Sequence, residues 1–197
     1  MTALAISNVV LWVVVLALLI VVLALVRQLG VLHERIAPAG ALMINRGLTV
    51  GEKVPPVDVV DLEGHGIRLG AERADGLSTL LLFVSPTCPV CDSLLPAIKS
   101  SAKDEQHWLQ IVLASDGELE AHRKFVRSHE LLDFRYVVSA PLGLTYQVSR
   151  LPFAALLDQT GTLRARGLVN SREHLESLFE AKRLGVASLQ EYFAARA

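Results

Sequence analysis

The sequence has few cysteines, few aromatic residues and almost no net charge. Only two of its 197 residues are cysteine, which excludes the class of small secreted domains held together by several disulfides. Lysine and arginine total 19, aspartate and glutamate total 20, and the net charge of -1 gives no sign of the basic stripe that nucleic-acid-binding proteins use. Hydrophobic residues make up 52% of the chain and charged residues 20%, which excludes general disorder. The length suits one compact domain plus a membrane segment.

A long uncharged run lies near the N-terminal end. Residues 9–26 are all apolar, and no charged side chain precedes Arg27. About 20 helical residues cross a bilayer core of about 30 Å. A cleaved signal peptide would begin with basic residues, have a shorter apolar core and end at a small-x-small site, and the run shows none of these. The sequence therefore predicts a transmembrane anchor over residues 1–29, a juxtamembrane linker over 30–53 and a folded domain over 54–197.

From Val54 onward, strand patterns alternate with helix patterns. The continuous apolar run at 79–84 is typical of a strand buried on both faces, and 109–114 reads as the next buried strand. Further strands are predicted at 57–62, 67–69, 134–138, 153–157 and 163–168, and helices at 89–103, 117–131, 142–147, 171–182 and from Ser188 onward. This order predicts an α/β fold with a mixed sheet and helices on both of its faces.

The two cysteines lie three residues apart where a buried strand leads into a helix. Cys88 and Cys91 form Cys-Pro-Val-Cys, and Pro89 takes the first helical position, where its missing N–H costs nothing. Cys88 would then lie beside the free N–H groups and the positive dipole end of the helix, which should lower its pKa below the free value of about 8.5. Cys91 lies one turn inside the helix and should be shielded.

This arrangement predicts thiol–disulfide exchange. The Cys88 thiolate would attack a substrate disulfide, and Cys91 would then resolve the mixed disulfide. Three alternatives stay open at this point. A zinc site would need two more ligands, with His107 the nearest candidate. An inert structural disulfide is disfavoured by the tight spacing. A peroxidatic site would need a threonine three residues before the attacking cysteine. Ser85 occupies that position here, and Thr87 is directly adjacent to Cys88.

The strand, the C-x-x-C motif and the helix resemble the thioredoxin superfamily over residues 54 to about 183. Pro96 lies five residues after Cys91, where these proteins carry a helix-kinking proline. Pro152 stands where the family has a cis-proline that faces the disulfide, although a plain trans turn proline is the alternative. The early hairpin is similar to that of the redoxin branch. The resemblance implies a thioredoxin-like, redoxin-type fold, with substrate contacts at Thr87, Leu151 and Pro152.

A narrower match includes the linker. The stretches 35–42, 45–48 and 85–91, together with Gly51, resemble the methylamine utilisation protein D family, accessory proteins for maturation of methylamine dehydrogenase. The resemblance implies a membrane-anchored thiol–disulfide oxidoreductase or isomerase that assists disulfide formation, folding or export of the dehydrogenase light subunit. It also implies a membrane thiol-transfer protein as redox partner, and no organic cofactor. The alternatives are a general anchored reductant, for instance in cytochrome c maturation, and a non-catalytic assembly scaffold.

Two arguments about the orientation in the bacterial cytoplasmic membrane conflict. The positive-inside rule would keep the C-terminal part in the cytoplasm, because basic residues follow the predicted span and only the α-amine precedes it. The exchange chemistry and the periplasmic client favour a periplasmic redox domain, which is the orientation we expect. The basic residues concerned are Arg27, Arg35, Arg46 and Lys53.

Some residues depart from the thioredoxin pattern or are expected to be structural. Thr87 stands where many thioredoxins have tryptophan, and the strand at 79–84 lacks the carboxylate that assists the second cysteine in thioredoxin. Asp92 is expected to point to solvent or to cap its helix locally. His122 and His129 are predicted to lie on a solvated, charged helix face.

Overall fold

The structure is a computed structural model that describes residues 6–8, 10–22 and 48–185. The chain divides into two compact units, Met1–Asn45 and Arg46–Ala197. In the first unit, residues 6–8 and 10–22 are helical (α1). Among the described residues, no helix combines the length and the apolar character needed to cross a membrane. Parts of the predicted anchor, most of the linker and the predicted helix from Ser188 lie outside the described residues.

The second unit contains the predicted strands and helices, with small differences at their ends. The strands are β1 (Val57–Val60), β2 (Gly66–Leu69), β3 (Ser78–Phe83), β4 (Leu109–Ser115), β5 (Arg135–Val138), β6 (Phe153–Leu157) and β7 (Leu163–Leu168). The helices are α2 (Pro89–Asp104), α3 (Leu119–Ser128), α4 (Ala140–Thr145) and α5 (Arg172–Leu184). Helix α3 begins later than predicted because Gly117, with φ of 109°, keeps the preceding loop non-helical, and it ends earlier, before Glu130 with its φ of 50°.

Five strands form one mixed sheet in the order β5-β4-β3-β6-β7. Strands β3, β4 and β5 run parallel, and β6 and β7 are antiparallel to their neighbours, so the predicted mixed sheet is confirmed. Every residue of β3 is buried, as its apolar run predicted. The hairpin of β1 and β2 reaches the outer edge of β5, where Asp61 pairs with Val137 and the Leu62 N–H donates to the Tyr136 carbonyl at 2.9 Å. The carboxyl ends of the three parallel strands meet at one edge of the sheet.

Helices cover both faces of this sheet, as predicted. Residues of β3 alternate between two apolar clusters, with Leu80 and Leu82 on one face and Leu81 and Phe83 on the other. The first cluster contains buried side chains from α2, α3 and α5, among them Ile98, Phe125 and Phe179. The second contains α4 and hairpin side chains, among them Leu142, Val59 and Leu69. Burying one such side chain contributes about 1.5–3 kcal/mol.

The turn between β6 and β7 is organised by one buried carboxylate. Asp158 accepts hydrogen bonds from the N–H groups of Thr160 and Thr162, at 2.9 and 3.0 Å, and from Arg164 Nε at 2.7 Å. Burial raises the pKa of Asp158, but these hydrogen bonds outweigh it, and the net pKa is below the ordinary value. Gly161 in the same turn has φ of 78°, and a Cβ added there would overlap the carbonyl oxygen of Gly70.

We predict that Asp158→Asn lowers the free energy of unfolding by about 1–3 kcal/mol at pH 7, because it removes charged hydrogen bonds in a buried turn. The pKa of Asp158 is lower in the folded chain than in the unfolded chain. This contribution is therefore present above the unfolded pKa of about 3.9 and is lost as the pH falls through the folded pKa.

Urea unfolding at pH 7 and at about pH 3 measures this effect, and the free energies of unfolding of the variant and the wild type should be closer to each other in acid. Asp58→Asn is the control, since Asp58 is exposed, and an equal deficit of Asp158→Asn at both pH values would contradict the prediction.

Candidate active site

Cys88 ends the loop after β3 and is the N-cap residue of α2. Its extended backbone, with φ of -103° and ψ of 104°, allows its Sγ to accept a hydrogen bond from the N–H of Cys91 at 3.2 Å. Pro89 occupies the first turn, as predicted. The two cysteines are joined by a disulfide with their Cα atoms 5.2 Å apart, within the usual range for a bonded pair. The predicted pair therefore lies at the carboxyl-end edge of the sheet.

The two sulfurs have different access to solvent. Cys91 is fully buried in the first apolar cluster, together with Leu94 and Ile98 of the same helix. Cys88 packs against this cluster but keeps part of its surface in solvent, and Val90 between them is 42% exposed. Solvent can therefore reach Cys88 and not Cys91, which confirms the predicted shielding of Cys91. Their roles in exchange stay a prediction.

Short polar side chains shape the loop that presents Cys88. The Ser85 hydroxyl lies 3.1 Å from the Thr87 hydroxyl and accepts from the Thr87 N–H at 3.3 Å, while the Cys88 N–H donates to the Ser85 carbonyl at 3.1 Å. Thr87 itself is exposed beside Cys88. These hydrogen bonds turn the chain between Phe83, where β3 ends, and Pro89, where α2 begins.

Leu151 and Pro152 reach the same edge of the sheet from a neighbouring strand. The peptide bond between them is cis, as the thioredoxin resemblance implied, and not the trans alternative. Strand β6 pairs antiparallel with β3 so that Phe153 opposes Phe83, and the two residues before Phe153 therefore lie beside the start of the Cys88 loop. Pro152 is buried, and its carbonyl accepts from the Val169 N–H at 3.0 Å. Their contact with a substrate stays a prediction.

The prediction that His122 is solvated was wrong. His122 is only 2% exposed, and its Nε2 lies 2.9 Å from the Asp116 carbonyl while its Nδ1 lies 3.0 Å from the Tyr136 hydroxyl. Since a carbonyl only accepts, Nε2 carries the hydrogen and Nδ1 accepts from Tyr136. Burial raises the pKa of Tyr136 to about 12, which keeps its hydroxyl protonated as this donor.

Asp92 is exposed, as expected, and its Oδ1 lies 3.6 Å from His129 Nε2. The expectation for His129 was only partly right, because its side chain is 34% exposed and lies against the end of the α3 core face. A signal in the sequence pointed this way, because His122, Phe125, Val126 and His129 follow the i, i+3, i+4, i+7 spacing of one helix face.

The described residues contain no group of three or more histidine, cysteine, aspartate or glutamate side chains that could hold a metal ion. The candidate site consists of the two sulfurs and the residues at the cis-proline.

Comparison with known proteins places the domain in a family. A sequence model of the AhpC/TSA family matches residues 50–183. The methylamine utilization protein MauD of Paracoccus denitrificans is 48% identical over 190 residues, covering 96% of this chain and 94% of that protein. The MauD protein of Methylorubrum extorquens is 46% identical, covering 96% of this chain and 92% of that protein.

Solved structures share the fold. A putative thioredoxin from Neisseria meningitidis superposes with a TM-score of 0.57 at 22% identity, covering 68% of this chain and 91% of that one. A thiol-disulfide oxidoreductase from Bacteroides fragilis also has a TM-score of 0.57, at 21% identity, covering 66% of this chain and 98% of that one. The predicted thioredoxin-like α/β fold is confirmed.

The difference in burial predicts a difference in reactivity. After reduction of the full chain at neutral pH, iodoacetamide should modify Cys88 at least about ten times faster than Cys91, because the buried sulfur must wait for local opening. Peptide mass mapping over time measures both rates, and the urea-unfolded chain is the control in which they should converge. Equal rates in the folded protein would contradict this prediction.

Proposed function

We propose that this chain is a membrane-anchored thiol–disulfide oxidoreductase or isomerase. The premise is that the chain belongs to the AhpC/TSA family and to the MauD proteins. Its client would be the light subunit of methylamine dehydrogenase, whose disulfide formation, folding or export it would assist. The observation that carries this proposal is the disulfide between an accessible Cys88 at a helix start and a fully buried Cys91. This pairing favours exchange chemistry over a purely structural bond, because a substrate can reach one of the two sulfurs.

The reaction follows from the two sulfurs. In the reducing direction, the Cys88 thiolate attacks a client disulfide, forms a mixed disulfide and expels one client thiolate. The Cys91 thiolate then attacks Cys88 Sγ, which forms the Cys88–Cys91 disulfide and releases the second client sulfur. Two electrons pass from the protein dithiol to the client. In the oxidising direction the same bonds form and break in reverse order.

The client segment would lie at the carboxyl-end edge of the sheet. Thr87, Leu151 and Pro152 surround the approach to Cys88 there, and Leu151 shares the apolar cluster against which Cys88 packs. An extended peptide could bind to backbone groups at this position while its sulfur meets Cys88. This placement supports the substrate contacts that the thioredoxin resemblance implied.

The cycle needs a second redox partner. Each turnover leaves the cysteine pair in the opposite oxidation state, so a membrane thiol-transfer protein would restore it. An anchor in the lipid bilayer of the cytoplasmic membrane would keep the domain near that partner. Because disulfides persist in oxidising compartments, we place the redox domain in the periplasm.

Trapping identifies the client. In Cys91→Ser the mixed disulfide at Cys88 cannot be resolved. We therefore expect a covalent complex with the dehydrogenase light subunit in Paracoccus denitrificans that lacks its own MauD protein, grown on another carbon source and exposed to methylamine as inducer. Non-reducing electrophoresis followed by mass spectrometry measures it. Cys88→Ser is the matched control and should trap nothing.

The same experiment separates the alternatives. Capture of cytochrome c maturation proteins in place of the light subunit would indicate a general anchored reductant. Normal growth on methylamine with Cys88→Ser would indicate a scaffold without exchange chemistry, and would overturn the proposal.

The orientation has its own test. A reporter that folds only outside the cytoplasm, fused after Ala197, should be active, and a reporter that needs the cytoplasm should be inactive at the same position. Deletion of residues 1–29 should release the protein from the membrane fraction. The reverse reporter pattern would show that the basic residues after the span decide the orientation.

A further inference from the structure

The residues that lead from β3 into α2 form a β-turn that ends on Cys88. The Cys88 N–H donates to the Ser85 carbonyl at 3.1 Å, which is the bond that closes a β-turn between its first and fourth residues. Pro86 is the second residue of this turn, where its fixed φ is favoured. Cys88 is therefore both the last residue of the turn and the N-cap residue of α2.

The Ser85 side chain supports this turn. Its Oγ accepts from the Thr87 N–H at 3.3 Å and lies 3.1 Å from the Thr87 hydroxyl. Serine is favoured at the first position of a turn because its hydroxyl can bond to the backbone two residues further on. An alanine at this position would keep the carbonyl that accepts from Cys88 and would lose both contacts with Thr87. The side chain can thus be tested separately from the bond that closes the turn.

The direction of the Cys88 sulfur depends on the shape of this turn. Its Sγ accepts from the Cys91 N–H at 3.2 Å only because the Cys88 backbone is extended, with φ of -103° and ψ of 104°. After reduction, a thiolate at Sγ would keep this hydrogen bond in a charge-assisted form and would lie near the positive end of α2. A looser turn would let Sγ move away from the N–H, and the protonated thiol would gain at the expense of the thiolate.

Charged side chains near this edge of the sheet are not affected by a substitution at Ser85. In the described part of the chain, the hydrogen bond to Cys88 Sγ comes from a backbone N–H and not from any of these side chains. Serine and alanine are both neutral, so the charges stay the same and an effect on the thiolate has to come from geometry. The charged or titratable residues concerned, on α2, at the end of α3, before the cis-proline and on the loop after β4, are Asp92, His129, Arg150, Asp116 and Glu118.

We infer that Ser85 is a positioning residue for Cys88, an inference that rests on the exchange function proposed above. Its side chain holds Thr87 and the turn in the shape in which Cys88 Sγ faces the Cys91 N–H. This geometry increases the share of Cys88 present as thiolate at neutral pH. The thiolate bonds to one sulfur of the client disulfide, the bond between the two client sulfurs breaks, and the other client sulfur leaves with the electron pair.

The rate of alkylation by iodoacetamide measures the Cys88 thiolate, because the thiol itself hardly reacts. The reduced full chain in detergent is sampled over time by peptide mass mapping at about pH 6 and about pH 9.5, well below and above the ordinary cysteine pKa. In Ser85→Ala we expect the Cys88 rate to fall about threefold or more at the lower pH and to change by less than about twofold at the higher pH. The difference arises because the thiolate is nearly complete in both proteins at the higher pH.

Two further variants separate the turn contact from the mere loss of a hydroxyl. Ser85→Asn supplies a side-chain oxygen that can accept from the same Thr87 N–H, and it should restore the wild-type rate at both pH values. Ser93→Ala is the matched control, because it removes another serine hydroxyl near the start of α2, one that donates to the Val90 carbonyl at 2.9 Å. It should behave as wild type.

The outcomes separate the inference from the proposed function. If wild-type Cys88 reacts no faster at the lower pH than it does in the urea-unfolded chain, the helix start does not favour the thiolate, and the proposed exchange function fails together with the inference. If wild-type Cys88 reacts faster and Ser85→Ala either matches it or is slowed equally at both pH values, the positioning role is overturned and the exchange function stands. Thermal unfolding shows whether each variant is folded, and Ser85→Gly, which also lacks the hydroxyl and suits a turn, decides the result if Ser85→Ala unfolds.

Discussion

The site depends on the unequal burial of two sulfurs that are one helical turn apart. A turn of α-helix moves the chain by about 5.4 Å, enough to place Cys91 within the apolar layer while Cys88 stays at its boundary. The helix has to begin at Cys88 for this to hold. Pro89 and the hydrogen bond from the Cys91 N–H to Cys88 Sγ support that starting point. If the helix began one turn earlier, Cys88 would enter the helix body and lose its position beside the free N–H groups.

The sheet gives this helix start its surroundings. Since the three parallel strands end at the same edge, the loops that follow them converge there, and the antiparallel strand β6 begins at that edge with Leu151 and Pro152 before it. The chain thus brings together a helix terminus, a cis-proline and the start of α3 without a dedicated binding domain. His129, the residue that caps the end of α3, lies 3.6 Å from Asp92 of α2, and Phe125 of α3 packs in the core beside it.

Features that depend on neighbouring residues in the sequence could be predicted, and features that depend on packing could not. The cysteine pair, its strand and its helix are local, and their patterns predicted the fold and the accessible and buried roles. The cis state of Pro152 came from the resemblance alone, because an X-Pro bond in a sequence does not show its isomer. The pairing of Asp92 with His129 depends on how α3 lies across α2, which no local pattern specifies. His122 was misjudged because the charged residues around it outweighed its i, i+3, i+4 relation to Phe125 and Val126.

The hairpin that reaches β5 has a consequence for how copies of the domain associate with one another. An unprotected sheet edge is a template for intermolecular strand pairing and aggregation. Here Asp61 and Leu62 partly occupy the outer edge of β5. The opposite edge strand, β7, carries Arg164 and Arg166, and its pairing with β6 is irregular at Leu156 and Leu157. Backbone ladders between copies of the domain are therefore disfavoured at both margins.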